Sequence, residues 1–291
     1  MTIKPTLLKE ALHGKIPERA LAKVRRAYDQ VGTIAILEIP KGLEKYEKLI
    51  AKTLLESSPA IATVCKKAGG HTGIYRRQKI KILAGRRNKT TIHTEHGVKL
   101  KVHVEDTYFS PRLANERLRV ANLVHPGERV LVMFSGIAPY PLVLAKISKA
   151  TSITGIEINP KAHALALENL TLNKRFSNII TLYNGDVAAI VPTLHLKPKD
   201  SIDGIKNRFD RIIMPLPKGA SGYLDVALSA SKPGCIIHYY DFSPEGDIES
   251  VSPKVLKEIH ELGKDARVLS TVKCGQSRVR EYRVCVDLQI I

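Results

Sequence analysis

The chain has 291 residues, of which 46 are Lys or Arg and 28 are Asp or Glu, so its net charge is +18. A hydrophobic content of 44% excludes a disordered chain, and no uncharged apolar run reaches the roughly 18 residues that a membrane span needs. The charged N-terminus fits no signal peptide. Four cysteines without a CxxC pair predict neither zinc nor disulfides, so buried thiols in a reducing cytoplasm are expected.

The excess positive charge is concentrated in the N-terminal part of the chain. Residues 1–110 hold 22 Lys and Arg against 10 Asp and Glu, whereas residues 111–291 hold 24 against 18. Such segregation favours a nucleic acid as partner, whereas a membrane surface is disfavoured because the sequence shows no basic amphipathic helix with bulky aromatic residues. The alternative is a solvated basic face of the kind found in thermophilic proteins. The densest stretch comprises Arg76, Arg77, Lys79, Lys81, Arg86, Arg87 and Lys89.

Residues 1–110 are predicted to form a small α+β domain. Pro17 is typical of a helix start, and the run at 40–42 is typical of a break between a strand and a helix. The expected elements are helix over 1–28, a strand over 33–39, a helix over 43–55, and antiparallel strands over 80–84, 90–93 and 99–104.

Residues 111–291 alternate between strand and helix patterns, which predicts a largely parallel, doubly wound sheet. The expected strands cover 129–134, 152–158, 179–184, 209–214, 234–241, 266–273 and 281–290, with helices over 111–124, 139–148, 160–173, 223–229 and 252–262. The last two strands have no helix between them, so an antiparallel edge is expected. In such sheets ligands bind beyond the carboxyl ends of the strands.

Three of these strand ends carry candidate ligand-binding residues. Gly136 permits a tight turn after the first strand, but the turn lacks the GxGxxG pattern of a dinucleotide phosphate site. Glu157 ends the second strand, where a carboxylate can accept from ribose hydroxyls; its alternative role is a helix N-cap or a surface charge. Asp186 follows the third strand. Two acids at successive strand ends without a phosphate loop suit the adenosine of S-adenosylmethionine.

The fourth strand ends in a proline-rich segment. Pro215 and Pro217 have no backbone N–H and hold the chain extended, so their carbonyls can accept from a bound base. Lys218 can either meet a phosphate or be an ordinary exposed lysine.

Seven short motifs follow one another along the chain. They are FSPRL at 109–113 with Glu116 and Arg117, MFSG at 133–136, EIN at 157–159, DV at 186–187, LPK at 216–218, HYY at 238–240 and REY at 280–282. In this order they resemble the archaeal tRNA (guanine-37-N1) methyltransferases of the Trm5 type, over nearly the whole chain.

This resemblance implies an α/β fold, with a class I (Rossmann-like) methyltransferase domain at 111–291 and a small basic α+β RNA-binding domain at 1–110. It implies S-adenosyl-L-methionine as the methyl donor and N1 of guanine 37, in the tRNA anticodon loop, as the target. We also expect a cytoplasmic monomer that uses no metal and binds no membrane. The additional N-terminal domain that checks the outer corner of tRNA in longer members is expected to be missing.

The resemblance also implies roles for individual residues. Glu116 matches the general base and Arg76 the arginine that supports the guanine oxygen. Spacing alone instead favours a salt bridge to a helix neighbour for Glu116, and Arg76 has a phosphate contact as its alternative. The expected cofactor-binding residues are Tyr108, Arg117, Phe134, Ser135, Gly136, Glu157, Ile158, Asn159, Asp186, Val187 and Pro215. The expected RNA-binding residues are Arg77, Lys79, Arg86, Arg87, Arg112 and Lys218.

Two positions depart from the family pattern. Val132 stands where the family usually has Asp, and Pro215 where it usually has Asn before Leu-Pro-Lys. These departures leave two alternatives open. One is transfer of the aminocarboxypropyl group by an enzyme of the TYW2 type, and the other is a non-catalytic tRNA-binding relative. A DNA or protein methyltransferase is a more remote possibility.

Overall fold

The computed structural model describes residues 6–25, 27–194, 208–217 and 219–291. The chain divides into two compact units, Met1–Pro111 and Arg112–Ile291. Within the described residues, no helix has the length and apolar character needed to cross a bilayer.

The first unit contains a four-stranded sheet and a separate hairpin. Its elements are α1 Thr6–Leu12, α2 Glu18–Lys23, β1 Asp29–Val31, β2 Ile34–Leu37, α3 Glu47–Glu56, β3 Thr63–Thr72, β4 Arg77–Gly85, β5 Thr90–Glu95 and β6 Val98–His103. The sheet order is β1-β2-β3-β4, with β2 and β3 parallel and the other neighbours antiparallel. Apolar residues of α1, α2, α3, β2 and β3 form one core.

Two predictions for this unit are corrected by the structure. Within the described part of 1–28, which leaves out residues 1–5 and 26, the expected helix is divided into two short helices, because Gly14 adopts a positive φ of 72° between them and Pro17 precedes the second. The interior strand β3 was not predicted, because two lysines and two glycines interrupt its apolar pattern. The expected strands over 33–39, 80–84, 90–93 and 99–104 are confirmed as β2, β4, β5 and β6.

The second unit is built on a seven-stranded sheet. Its elements are α4 Ala114–Leu123, β7 Arg129–Met133, α5 Pro139–Ile147, β8 Ser152–Glu157, α6 Pro160–Leu172, β9 Ile180–Asn184, α7 Val187–Ile190, β10 Phe209–Met214, α8 Leu224–Ala230, β11 Ser231–Pro244, α9 Val251–Glu261, β12 Ala266–Arg278 and β13 Glu281–Ile290. The strand order is β12-β13-β11-β10-β7-β8-β9.

The topology of this sheet matches the predicted fold. Five neighbouring strands, β11-β10-β7-β8-β9, are parallel, and the strand order reverses at β7. β13 inserts antiparallel between β11 and the edge strand β12. Strands β7 and β10 are almost entirely buried, and they are apolar apart from Arg129, Asp210 and Arg211, as expected of parallel strands covered by helices on both faces. The predicted α/β class with a separate N-terminal α+β unit is confirmed.

Candidate active site

The carboxyl ends of β7, β8, β9 and β10 meet at one edge of the sheet, because these four strands are parallel neighbours. The turn that follows β7 is joined to the end of β8, since the Ser135 amide donates to the Ile156 carbonyl at 2.8 Å. The turn that follows β9 is joined to the same strand end by Gly185, whose amide donates to the Glu157 carbonyl at 3.0 Å. The segments singled out in the sequence at 134–136, 157–159 and 186–187 therefore line one edge.

The turn after β7 is conformationally strained. Phe134, Gly136 and Ala138 have positive φ angles of 57°, 58° and 66°. Only glycine adopts this region without cost, and non-glycine residues held there cluster at functional sites. The turn also packs tightly on β8, because a Cβ added at Gly155 would lie 3.1 Å from the Ser135 Oγ and 2.6 Å from Leu182.

Glu157 is held at this edge by backbone amides. Its Oε2 accepts from the Gly136 amide at 2.8 Å and its Oε1 from the Asn159 amide at 2.8 Å. Burial raises the pKa of Glu157, although these hydrogen bonds act in the opposite direction. A carboxylate accepts about four hydrogen bonds, so Glu157 retains acceptor capacity for the hydroxyl groups of a ligand. A carboxylate that accepts from hydroxyl groups fits a ribose.

Two other residues of the edge cap helices. The Asn159 side chain accepts from the Lys161 amide at 3.1 Å at the start of α6, and Asp186 accepts from the Ala188 amide at 2.9 Å at the start of α7. Asp186 is half-buried, whereas Asn159 is buried. Asp186 can offer its second oxygen to a ligand while the first caps the helix.

The remaining residues of the edge are mainly apolar. Phe134 is half-buried and packs edge-on against Tyr223, with 5.0 Å between the ring centroids. Ile158 and Pro215 are half-buried, while Ser135 and Val187 are buried. The Leu216 amide donates to the Met214 carbonyl at 2.7 Å, which folds the chain tightly around Pro215. An aromatic and aliphatic surface of this kind fits the face of an adenine ring.

Glu116 lies on α4 and is 4% exposed. Arg119 donates to both of its oxygens, from Nε to Oε2 and from Nη2 to Oε1, each at 2.8 Å. The Tyr240 hydroxyl donates to Oε1 at 2.6 Å, and the Tyr140 hydroxyl lies 2.8 Å from that of Tyr240. Three of about four acceptor positions are thus filled. Within the described residues, the Glu116 carboxylate retains one open acceptor position, on Oε2.

A second carboxylate shares Arg119. Asp287 on β13 accepts from Arg119 Nη1 at 2.7 Å and from Ser270 at 2.7 Å. His238 on β11 contacts Asp287 through Nδ1 at 2.6 Å and Arg211 through Nε2 at 2.7 Å. Because a guanidinium only donates, His238 Nε2 accepts and its Nδ1–H donates to Asp287.

These hydrogen bonds fix the protonation states of His238 and Asp287. Burial lowers the pKa of His238, in agreement with a neutral ring. Burial acts to raise the pKa of Asp287, but hydrogen bonds from His238 and Arg119 outweigh it and hold that pKa well below its ordinary value. Arg211 is fully buried and also donates to both oxygens of Glu128. A continuous polar network, here called the α4 network, therefore consists of Glu128, Arg211, His238, Asp287, Arg119, Glu116, Tyr240 and Tyr140.

Arg117 is the buried cation of α4, whereas Arg119 is half-buried. Arg117 is 2% exposed, and its guanidinium carbon lies 6.0 Å from the centre of the Tyr140 ring. Arg112 at the start of the unit is exposed. The α4 segment therefore turns Glu116, Arg117 and Arg119 inward and leaves Arg112 on the surface.

His238, Cys285 and Asp287 offer possible metal-ligand atoms within 4.8 Å of one another. Two guanidinium groups border the cluster, Arg211 on His238 and Arg119 on Asp287. Positive charge on both sides opposes the binding of a cation there. The four cysteines are free and buried, as predicted, and burial raises the pKa of the Cys65 thiol to about 11.

In the first unit, the predicted RNA-binding residues lie on and around β4. Arg77, Lys79, Arg86 and Arg87 are exposed. Lys81 instead pairs with Glu47 at 2.9 Å, and Lys89 pairs with Glu105. Two cations of the dense basic stretch are thus compensated by carboxylates of the same unit. Two further candidates, Arg76 with φ 48° and Tyr108, are half-buried; Lys218 falls outside the described residues.

The comparisons with known proteins cover both units. Residues 91–269 match the model of the TRM5/TYW2 methyltransferase domain. The chain belongs to the TRM5/TYW2 methyltransferase family. Residues 8–89 match the TYW2 N-terminal domain. The predictions of the family and of a methyltransferase are confirmed.

Three TRM5/TYW2 relatives illustrate the similarity. The tRNA (guanine(37)-N(1))-methyltransferase Trm5b of Pyrococcus abyssi is 35% identical, over 94% of this chain and 78% of that protein. The structure of the complex of aTrm5 and tRNALeu gives a TM-score of 0.80 at 28% identity, over 100% of this chain and 80% of that one. Pyrococcus horikoshii TYW2 in complex with MeSAdo gives a TM-score of 0.76 at 28% identity, over 99% of both chains.

Both departures from the TRM5 pattern have clear structural positions. Val132 is completely buried in β7, between Ile213 of β10 and Gly155 of β8. It fills a core position and brings no carboxylate to the edge. Pro215 comes directly after β10, so at that position the edge offers a ring and a carbonyl in place of a side-chain amide.

Sequence reasoning missed Tyr223 and most of the α4 network. A signal for the network was present, because Arg211 and Asp287 each interrupt a run of apolar strand residues. Charged residues are almost never fully buried unless they are paired. The sequence did not identify the partners, since they come from α4, β10, β11 and β13.

Replacement of Glu157 by Gln is expected to weaken binding of S-adenosylmethionine by about 10- to 100-fold. Hydrogen bonds to a charged acceptor contribute about 1.5–3 kcal/mol, and the amide removes that charge. Calorimetric titration of the purified protein measures the effect. Exposed Glu168 on α6 gives the matched control, because Glu168→Gln removes the same charge away from the edge. Equal affinities for the two variants would contradict a ribose contact by Glu157.

Proposed function

We propose that this chain is a tRNA methyltransferase that transfers the methyl group of S-adenosyl-L-methionine to N1 of guanine 37. The observation that carries the proposal is Glu116, a buried carboxylate whose Oε2 keeps one acceptor position that no described residue fills. Membership of the methyltransferase family and the tRNA substrate named for the P. abyssi relative support it.

The first chemical requirement is removal of a proton, because guanine N1 is protonated at neutral pH and is a poor nucleophile. A carboxylate within hydrogen-bond reach of N1–H provides general-base assistance of about 10²–10⁴-fold. In this proposal Glu116 takes the proton through its open Oε2 position. Arg119 and Tyr240 hold the carboxylate in one orientation, so its geometry is set before the base arrives.

The second requirement is stabilisation of the charge that moves onto guanine O6. A guanidinium aimed at that oxygen acts as an oxyanion donor, worth roughly 2.7–4 kcal/mol. We assign this role to Arg76, which the family resemblance matches to the arginine that supports the guanine oxygen. Bound S-adenosylmethionine supplies an electrophilic sulfonium methyl group. Glu157 and Asp186 would bind its adenosine, with Phe134, Ile158, Val187 and Pro215 around the ring.

The nucleic-acid partner in this proposal is the tRNA anticodon stem-loop. The exposed cations Arg77, Lys79, Arg86 and Arg87 would contact its phosphates, and a base at position 37 must be splayed out of the loop before it can react. We place the reaction in the cytoplasm and expect a monomer without metal. Four free, buried thiols accord with a reducing compartment.

The deciding experiment incubates the protein with labelled S-adenosylmethionine and tRNA transcripts that carry either guanine or adenine at position 37. Nucleoside analysis of the product is expected to show 1-methylguanosine from the first transcript only. The adenine transcript is the matched control, since it differs by one base. An unmodified guanine transcript, or equal labelling of both, would contradict the proposal.

A second candidate is aminocarboxypropyl transfer of the TYW2 type. It is favoured by the match of residues 8–89 to the TYW2 N-terminal domain and by the coverage of 99% of both chains in the comparison with P. horikoshii TYW2. The same donor would then be attacked at a different carbon. Mass analysis of the modified nucleoside separates the two reactions, because the aminocarboxypropyl group is much heavier than a methyl group.

A further inference from the structure

The turn between β12 and β13 is an exposed basic tip. Val279 at its centre is 81% exposed, and the Arg278 side chain beside it is 75% exposed. Residues 273–283 contain four cations and one acid. Arg278 makes a long ion pair with Glu281, at 3.9 Å, and such an exposed pair contributes little. The tip therefore presents positive charge around an apolar side chain.

Two further contacts stiffen this tip. Arg280 adopts a positive φ of 57°, and its carbonyl accepts from the Glu245 amide at 3.0 Å. The Lys273 ammonium lies 4.4 Å from the centre of the Tyr282 ring. An arginine held in the left-handed region costs free energy, and such strain is characteristic of ligand-binding positions.

The first unit carries a tip of the same composition. In the turn between β3 and β4, Ile74 is 73% exposed, Arg76 has a φ of 48°, and Arg77 lies 5.7 Å from the Tyr75 ring. Each of these two turns thus exposes a β-branched apolar side chain within two residues of an arginine that has a positive φ. The β12–β13 tip lies beyond residue 269, where the match to the methyltransferase domain ends.

We propose that the β12–β13 tip, residues 277–280, is a second tRNA-binding element, located in the methyltransferase unit. This inference rests on the proposed function for the identity of the RNA. Arg278 and Arg280 contact backbone phosphates, which supplies affinity that depends on salt. Val279 contacts a sugar or base face, as apolar side chains do in nucleic-acid interfaces. The proposal thereby assigns the motif at residues 280–282 a role in tRNA binding.

The test compares tRNA binding by two matched double variants. The tip variant carries Arg278→Ala and Arg280→Asn, because Asn tolerates a positive φ and so preserves the turn. The control carries Lys264→Ala and Arg267→Ala, which remove two exposed cations at the opposite end of the same strand. Dissociation constants are measured between about 50 and 200 mM salt. Unfolding midpoints and cofactor titrations establish that both variants are folded.

The tip variant is expected to bind tRNA on the order of tenfold more weakly at low salt. The plot of log association constant against log salt concentration should become less steep by about 2. The control is expected to retain a slope near that of the unsubstituted protein. Val279→Ser should weaken binding without changing the slope. Equal slopes for the tip variant and the control would overturn the proposal.

Methyl transfer by the unsubstituted protein is measured in parallel and tests the proposed function by itself. If the protein binds tRNA without modifying guanine 37, the proposed function fails while the affinity comparison still decides the role of the tip. If it modifies guanine 37 and the tip variant binds like the control, only the inference about the tip fails.

Discussion

Replacement of Glu116 by Gln is expected to slow single-turnover methyl transfer by about 10²-fold or more, while tRNA binding persists. The amide cannot accept the N1 proton of guanine. With its oxygen in the Oε1 position the amide still accepts from both Arg119 and Tyr240, and only the hydrogen bond from Arg119 Nε to Oε2 is lost. Single-turnover rates with saturating enzyme isolate this step from product release.

A purely structural role for Glu116 predicts a different outcome. Breaking its salt bridge with Arg119 would then lower the free energy of unfolding and leave the rate of the folded fraction unchanged. Tyr240→Phe is the matched variant, because it removes a hydrogen bond to Glu116 and keeps the carboxylate. We expect Tyr240→Phe to retain most of the rate and Glu116→Gln to lose it. A Glu116→Gln protein that transfers methyl at a near-normal rate would exclude Glu116 as the base.

The strand ends of the second unit could be predicted from the sequence because their determinants are local. A buried apolar run defines β7, isoleucines at buried positions indicate β8 and β10, and the turns with Gly136 and Pro215 mark where β7 and β10 end. Parallel strands bring their carboxyl ends to one edge. The positions of Glu157 and Asp186 along that edge follow from this rule alone. Their contacts with a ligand remain predictions.

The α4 network could not be predicted, because its hydrogen bonds join residues far apart in the chain. Arg119 and Asp287 are separated by 168 positions, and Arg211 and Glu128 by 83. Helical spacing correctly indicated that Glu116 faces a neighbour at i+3, yet it said nothing of burial. Strand β3 was missed for the opposite reason, since its polar sequence carries no apolar alternation and its pairing with β2 and β4 decides its structure.

Replacement of Asp287 by Asn is expected to lower the free energy of unfolding by about 3–5 kcal/mol at neutral pH. Removing one partner of a buried ion pair leaves the other charge uncompensated. Here Arg119 loses one of its two carboxylates, and an amide N–H has to face either Arg119 or the Nδ1–H of His238. Urea unfolding measures the loss. Asp265→Asn is the matched control, because Asp265 also pairs with a histidine, His260, but is exposed; a change within about 0.5 kcal/mol is expected there.

The pH dependence of the stability loss caused by Asp287→Asn provides a second test of the role of the Asp287 charge. The pKa of Asp287 in the folded protein is held below its ordinary value, so its contribution to stability is complete above that value and is lost as the pH falls through the folded pKa. His238 is neutral in both proteins, and the cost of keeping it neutral at acid pH cancels in the difference. The difference in free energy of unfolding between the Asp287→Asn variant and the unsubstituted protein should therefore be constant from about pH 6 to 8. It should decrease below about pH 4. If this difference in free energy of unfolding stayed unchanged at lower pH, packing and not the charge of Asp287 would stabilise the α4 network.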